Sequence, residues 1–279
     1  MTRSERPEPR PRATIEPEGA AVLLAVDVGN TESVLGVFRD AELITHWRMA
    51  TVPERTADEL ALVFGGFLQH EQIAFSDLTG IVISSVVPAA TDALREMVAR
   101  YLSFHPVVLE PGVRTGMAIL IDNPREVGAD RIANSLAAYA RYGGPCIVLD
   151  FGTATNFDVV SAAGEYLGGV IAPGLQVAAS SLYAAAARLT RVELRAPRSV
   201  VGKNTVEAVQ SGLILGAAAE VDGIVQRIEE EIGPAKVVAT GGLAGIVVPH
   251  CRTSIDQEPW LTLEGLRLVF ERNVGIDGD

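Results

Sequence analysis

The sequence predicts an α/β protein of duplicated plan, with two halves of similar build facing one cleft. Two stretches carry this expectation. The apolar run from Ala21 to Val26 ends in Asp27-Val28-Gly29-Asn30-Thr31, and a second apolar run, Ser33 to Phe38, leaves it. Later, Cys146 to Leu149 ends in Asp150-Phe151-Gly152-Thr153, and Asn156 to Val160 leaves it. Each is a β-branched run of strand length that delivers an aspartate to a glycine-containing turn. The repetition of the unit points to an internal duplication.

Such a loop suits nucleotide phosphates. Glycine admits close approach of the backbone, N–H groups and the hydroxyls of Thr31 and Thr153 donate to phosphate oxygens, and the strand-end aspartate can hold a metal ion or its water. A lone Asp-Gly turn reads equally as an ordinary hairpin. Two copies, each with a threonine beside the glycine, favour the phosphate reading.

The first half continues the pattern. Runs at Ser33–Phe38 and Glu42–Trp47 complete a meander with the first strand. Leu60, Val63, Phe64 and Phe67 recur at helical spacing and predict a helix over Thr56 to His70. A strand over Ile81 to Pro88, a helix over Thr91 to Leu102 and a strand over Pro106 to Glu110 follow. Three strands and then alternating helix and strand is the ribonuclease-H-like order. Gly128-Ala129-Asp130-Arg131 opens a helix that ends near Gly143-Gly144.

The second half repeats the order. Its meander takes Cys146–Phe151, Asn156–Val160 and Tyr166–Ile171. Helices over Gln176 to Arg188 and Thr205 to Ile232, a strand over Lys236 to Thr240, the Gly241-Gly242 turn and a terminal helix over Thr262 to Arg272 complete it. The polar, proline-bearing stretch Thr190 to Gly202 reads as a surface crossing or an interface segment. Domains are expected at 21–142 and 143–279. Residues 1–20 mix Pro, Arg and Glu without apolar periodicity and read as a disordered tail.

Composition limits the partners. With 279 residues, 48% of them hydrophobic, the chain can bury a core in each half. A net charge of −12 argues against nucleic acid and anionic membranes as partners. No uninterrupted apolar stretch reaches the length of a membrane span, and the run before Asp27 is too short for a signal peptide. Cys146 and Cys251 fit no Cys-x-x-Cys pattern and read as free thiols of a reducing cytoplasm. The four histidines form no local metal-ligand motif. Neither G-x-x-x-x-G-K-[ST] nor G-x-G-x-x-G occurs, so a nucleotide site here is of another kind.

Asp130 and Arg131 stand at a helix start, where the dipole favours a carboxylate and attracts anions. A carboxylate able to take a hydroxyl proton, beside a guanidinium able to clamp a carboxylate, suits phosphorylation of an acidic alcohol. Lys203-Asn204-Thr205-Val206-Glu207 reads first as a capping box. Thr240-Gly241-Gly242 follows a strand and precedes a helix, where flat backbone can lie against a base or ribose.

Taken together, Asp27-Val28-Gly29-Asn30-Thr31, Gly128-Ala129-Asp130-Arg131, Asp150 to Thr155, Gly168-Gly169-Val170-Ile171-Ala172-Pro173-Gly174, Gly202-Lys203-Asn204-Thr205, Thr240-Gly241-Gly242 and Leu261 to Leu266 resemble the ordered motifs of type III pantothenate kinases. The resemblance implies the acetate and sugar kinase/Hsp70/actin fold, that is, duplicated ribonuclease-H-like domains. It implies ATP-dependent phosphorylation of pantothenate, the first step of coenzyme A synthesis, by a cytoplasmic homodimer. It implies Asp130 as the proton acceptor, and Asp27, Val28, Gly29, Asn30, Thr31, Glu32, Ser33, Val34 and Thr153 at ATP. Asp150 falls at a monovalent cation, K+ or NH4+, with Mg2+ accompanying ATP. Gly128, Ala129, Asp130, Arg131 and Thr205 fall at pantothenate. Ile121 stands where many members have tyrosine, and Asn156 replaces a frequent threonine. A catalytically silent nucleotide-binding paralogue and an actin- or Hsp70-like ATPase are the contrasting readings.

Overall fold

The computed structural model describes residues 21–186 and 189–274; the expected tail and the expected end of a helix at Arg188 lie outside them. The architecture is two mixed five-stranded sheets of the same topology. In the first, β1 (Val22–Val28), β2 (Glu32–Arg39) and β3 (Glu42–Ala50) form the antiparallel meander. β4 (Gly80–Ser85) and the two-residue β5 (Val107–Val108) extend it in parallel to β1. In the second, β6 (Cys146–Phe151), β7 (Ala154–Val160) and β8 (Tyr166–Pro173) form the meander. β9 (Lys236–Thr240) and β10 (Ile255–Gln257) extend that sheet in parallel to β6.

Alternation along the central strands sorts side chains into three layers. Leu24, Val26, Ile81 and Ile83 face α1 (Ala57–His70) and α2 (Pro88–Tyr101). On the far side of the molecule Ile147, Leu149, Phe157 and Val237 face α5 (Thr205–Ile232), with α4 (Leu175–Ala185) and α6 (Ala244–Val247) nearby. The intervening residues, Leu23, Ala25 and Val82 of one sheet and Cys146, Val148 and Val238 of the other, close on α3 (Ala129–Tyr142) and α7 (Leu261–Val274). Those two helices pack on each other between the sheets, α7 against β1, β2 and β4 and α3 against β6, β7 and β4.

Where bounds differ from the sequence reading, the causes are local. Pro88 opens α2 at its first position, where a missing N–H costs nothing, instead of closing a strand. α1 starts at a capping box: the Glu59 amide donates to Thr56 Oγ1 at 3.3 Å and the Thr56 amide donates to Glu59 Oε2 at 2.8 Å. β10 and α6 are too short to show a period in sequence. α5 is long and apolar enough, by length and composition, to cross a bilayer. It places Ile214, Ala218, Val221, Val225 and Ile228 in the core against the second sheet.

Candidate active site

The inward faces of the two sheets are apolar at one end and polar at the other. On β1 the inward residues run Leu23, Ala25, Asp27, and on β6 Cys146, Val148, Asp150. Both aspartates thus stand at the carboxyl ends of equivalent central strands, facing the same gap, where open α/β sheets bind ligands. Asp130, in the first turn of α3, completes the group. Burial pushes the Asp27 carboxyl up to about 7, with the charges of Asp130 and Asp150 adding to it. Burial likewise pushes Asp150 to about 7, with Asp130 and Asp158 adding. These carboxylates feel one another across the gap.

Each has a support. Asn134, fully buried on α3, donates to Asp150 Oδ2 at 3.3 Å and accepts from Thr262 Oγ1 of α7 at 2.7 Å. Gly241, at φ 90°, packs directly on Asp150: a Cβ there would lie 2.6 Å from Oδ1. Asp130 Oδ1 accepts from the Arg131 amide at 2.9 Å, over the helix N-terminus. The Arg131 guanidinium turns onto Asp158 of β7, with Nε at 2.8 Å and Nη2 at 2.7 Å from Oδ1. The Tyr166 hydroxyl donates to that same oxygen at 2.7 Å. Asp158 is fully buried, and its other oxygen, Oδ2, has no hydrogen-bond partner. Burial lifts its carboxyl to about 6 against the pull of Arg131 and Tyr166.

Both turns are closed by a glycine amide, across three residues in the first and two in the second. Gly29 N–H donates to Glu32 O at 3.1 Å and Gly152 N–H to Ala154 O at 2.9 Å, leaving Asn30, Thr31 and Thr153 exposed at the tips. Not every expected residue offers its side chain. Val28 packs in the core behind the first sheet, and Ser33 is buried with its hydroxyl 2.8 Å from that of Thr51. Val34 lies in the inward row opposite Asp27. Gly128 caps α3 through its backbone, and Ala129 begins that helix. Thr205 stands elsewhere, at the start of α5. Asn204 is the residue that caps that helix, accepting from the Glu207 amide at 2.9 Å. Thr205 lines a cavity of about 650 Å3 with Leu182, Lys203 and Leu213.

Asp158, Tyr166, Asn134 and Thr262 are absent from the residues singled out by sequence. Asp158 leaves one trace, a carboxylate in the apolar run Phe157-Asp158-Val159-Val160, which demands a buried partner. Among the described residues no group of three His, Cys, Asp or Glu side chains is placed to hold a metal ion alone. Asp27 and Asp150, destabilised as anions by burial and by neighbouring carboxylates, fit a hard cation that keeps water and phosphate among its ligands.

Known proteins resemble the chain in sequence and in fold. A family profile described as type III pantothenate kinase matches residues 23–227. The "Type III pantothenate kinase" of Acidothermus cellulolyticus is 56% identical over 256 residues, covering 91% of this chain and 99% of that one. Among solved structures, a "conserved putative Baf family transcriptional activator" from Campylobacter jejuni superposes with a TM-score of 0.56 at 20% identity, over 91% of this chain and all of the other. A ROK hexokinase from Thermus thermophilus does so with a TM-score of 0.53 at 15% identity, over 92% of this chain and 100% of its own; these two likenesses show the fold, the duplicated ribonuclease-H-like architecture. On the profile match and the sequence identity, the chain belongs to the type III pantothenate kinase family.

Proposed function

We propose that the gap between the sheets transfers the γ-phosphoryl group of ATP to the primary hydroxyl of pantothenate, giving 4′-phosphopantothenate and ADP, the first step of coenzyme A biosynthesis. Family membership supports the reaction. The observation that carries its location is the convergence of Asp27, Asp130 and Asp150 on one gap from equivalent strand ends and a helix start.

In this reading Asp130 accepts the proton of the attacking hydroxyl. The hydroxyl oxygen forms the new P–O bond as the bridging bond to ADP breaks. Arg131, braced by Asp158 and Tyr166, presents the remaining edge of its guanidinium to the pantothenate carboxylate. Thr31, Thr153 and the turn amides hold phosphate oxygens, with Asp27 to Val34 forming the nucleotide loop. Asp27 and Asp150 would hold the cations, Mg2+ with the nucleotide and K+ or NH4+ at Asp150. Those ions supply neutralisation of the phosphate charge.

The chain is read as two units, 21–142 and 143–279, acting as a cytoplasmic homodimer without nucleic-acid or membrane partners. Exposed apolar residues support the dimer: Ile171 on the edge strand β8, Val177 on α4 and Val200, Val201 and Val206 around the cavity that contains Thr205. Thr205 then joins pantothenate at the interface.

The test is direct. Purified chain with ATP, Mg2+ and K+ should form 4′-phosphopantothenate in proportion to ADP, and only when pantothenate is present. A folded sample that yields no product above an enzyme-free control ends the proposal, and ADP release independent of pantothenate would mark a simple ATPase.

A further inference from the structure

We propose that Arg48 is a nucleotide-phosphate ligand, held ready on the face of Trp260 by Glu32; this rests on the reading of the gap as a nucleotide site. The strand register gives its place. Arg48 of β3 stands opposite Val34 of β2, which stands opposite Asp27 of β1. Residues directly paired across strands share a face, so Arg48 projects from the inward face two strands, roughly 10 Å, from Asp27.

Three segments meet at this guanidinium. Its Nη1 is 2.9 Å from Oε2 of Glu32, the first residue of β2, just past the loop that follows Asp27. Its central carbon lies 5.6 Å from the centroid of the Trp260 ring, just before α7, and the ring of His46 packs on the same indole at 3.7 Å. Its Nη1 also passes over the turn after β9, 3.4 Å from where a Cβ on Gly242 would sit. Two of these segments, the β1–β2 loop and the Thr240-Gly241-Gly242 turn, are the ones read as nucleotide-binding.

The chemistry fits the placement. Asp27, Asp130 and Asp150 leave the gap acidic, and Arg131 is engaged with Asp158. A polyphosphate approaching this mouth meets Arg48 as a cation with a partly free donor fork. Its pair with Glu32 is 40% and 49% exposed, and exposed pairs of this kind are weak. A phosphate, which accepts the guanidinium fork in two hydrogen bonds, can displace that carboxylate. Trp260 and His46 keep the side chain over the mouth, so little rotamer freedom is lost on binding.

The experiment titrates Mg-ATP, Mg-ADP and adenosine calorimetrically into the full chain and its Arg48→Gln and Arg48→Lys variants, with melting temperatures measured alongside. Arg48→Gln should weaken ATP and ADP about tenfold or more and leave adenosine binding and the KM for pantothenate unchanged. Arg48→Lys, a point charge without the fork, should recover part of the loss. Equal ATP affinity in all three proteins overturns the assignment. So does a parallel loss of adenosine affinity, which would make Arg48 a strut between the lobes. If the parent itself binds neither ATP nor adenosine, the nucleotide reading has failed and the assignment falls with it.

Discussion

Single residues in the gap separate chemistry from scaffolding. Asp130→Asn keeps size and hydrogen bonding in the first turn of α3, so stability should change by no more than about 1 kcal/mol. It removes the charge proposed to accept the proton, and turnover should fall by roughly 10²–10⁴-fold while ATP still binds. Near-normal steady-state turnover in a folded variant would show that Asp130 merely starts a helix. Asp158→Asn tests the neighbouring brace. Removing the charge opposite the mostly buried Arg131 should cost about 3 kcal/mol in chemical denaturation and raise the KM for pantothenate. Tyr166→Phe deletes one of the three bonds to the same oxygen and should cost only about 1 kcal/mol. If the two variants are equally mild, Asp158 does not hold Arg131. Sequence reading reaches Asp27, Asp130 and Asp150 because each sits at a strand end or helix start, where local pattern is informative. It misses Asp158 and Asn134, whose partners lie 27 and 16 residues away.

At the scale of elements, legibility follows length and punctuation. The bounds of α5 and β9 read from sequence coincide with the structure, since Asn204 caps one and Gly233 and Gly241 stop both with positive φ. What sequence periodicity cannot show is where a helix goes. α7 ends the second half of the chain yet packs on the first sheet, and its most extensive packing is on α3. There Gly265 faces the backbone of Ala133, and a Cβ would fall 2.0 Å from the Ala133 carbonyl oxygen. Alanine in a helix interior ordinarily stabilises by about 1 kcal/mol relative to glycine. Here the contact is with backbone, which cannot swing aside. Gly265→Ala should therefore destabilise by about 3 kcal/mol as the helices are forced apart. Because α7 carries Thr262 to Asn134 and so to Asp150, the same variant should also lose turnover. A denaturation midpoint equal to or above that of the parent would show that α3 and α7 do not pack this closely.

Among the described residues exposed apolar side chains gather around β8 and the start of α5, and that distribution is the argument for a second copy. Leu62 is 78% exposed on α1, and single exposed leucines are ordinary. Ile171 at 65%, with Leu167 and Val170 on the same edge strand and Val177, Val200, Val201 and Val206 from three following segments, is a different case. β8 ends its sheet: Tyr166 at its start pairs with Ala118 to Leu120, no strand among the described residues lies beyond the rest, and an edge of this composition invites pairing or aggregation unless something covers it. The proposed symmetric dimer would cover it with the same surface from the other copy. Ile171→Lys should then convert the protein to a monomer in sedimentation equilibrium, while Leu62→Lys leaves the dimer intact. Because Thr205 opens α5 beside this surface, the monomer should bind pantothenate more weakly and keep its affinity for ATP, whose loops lie on the gap between the sheets. A parent that sediments as a monomer, or an Ile171→Lys variant that remains a dimer, places the interface elsewhere and removes Thr205 from the pantothenate site.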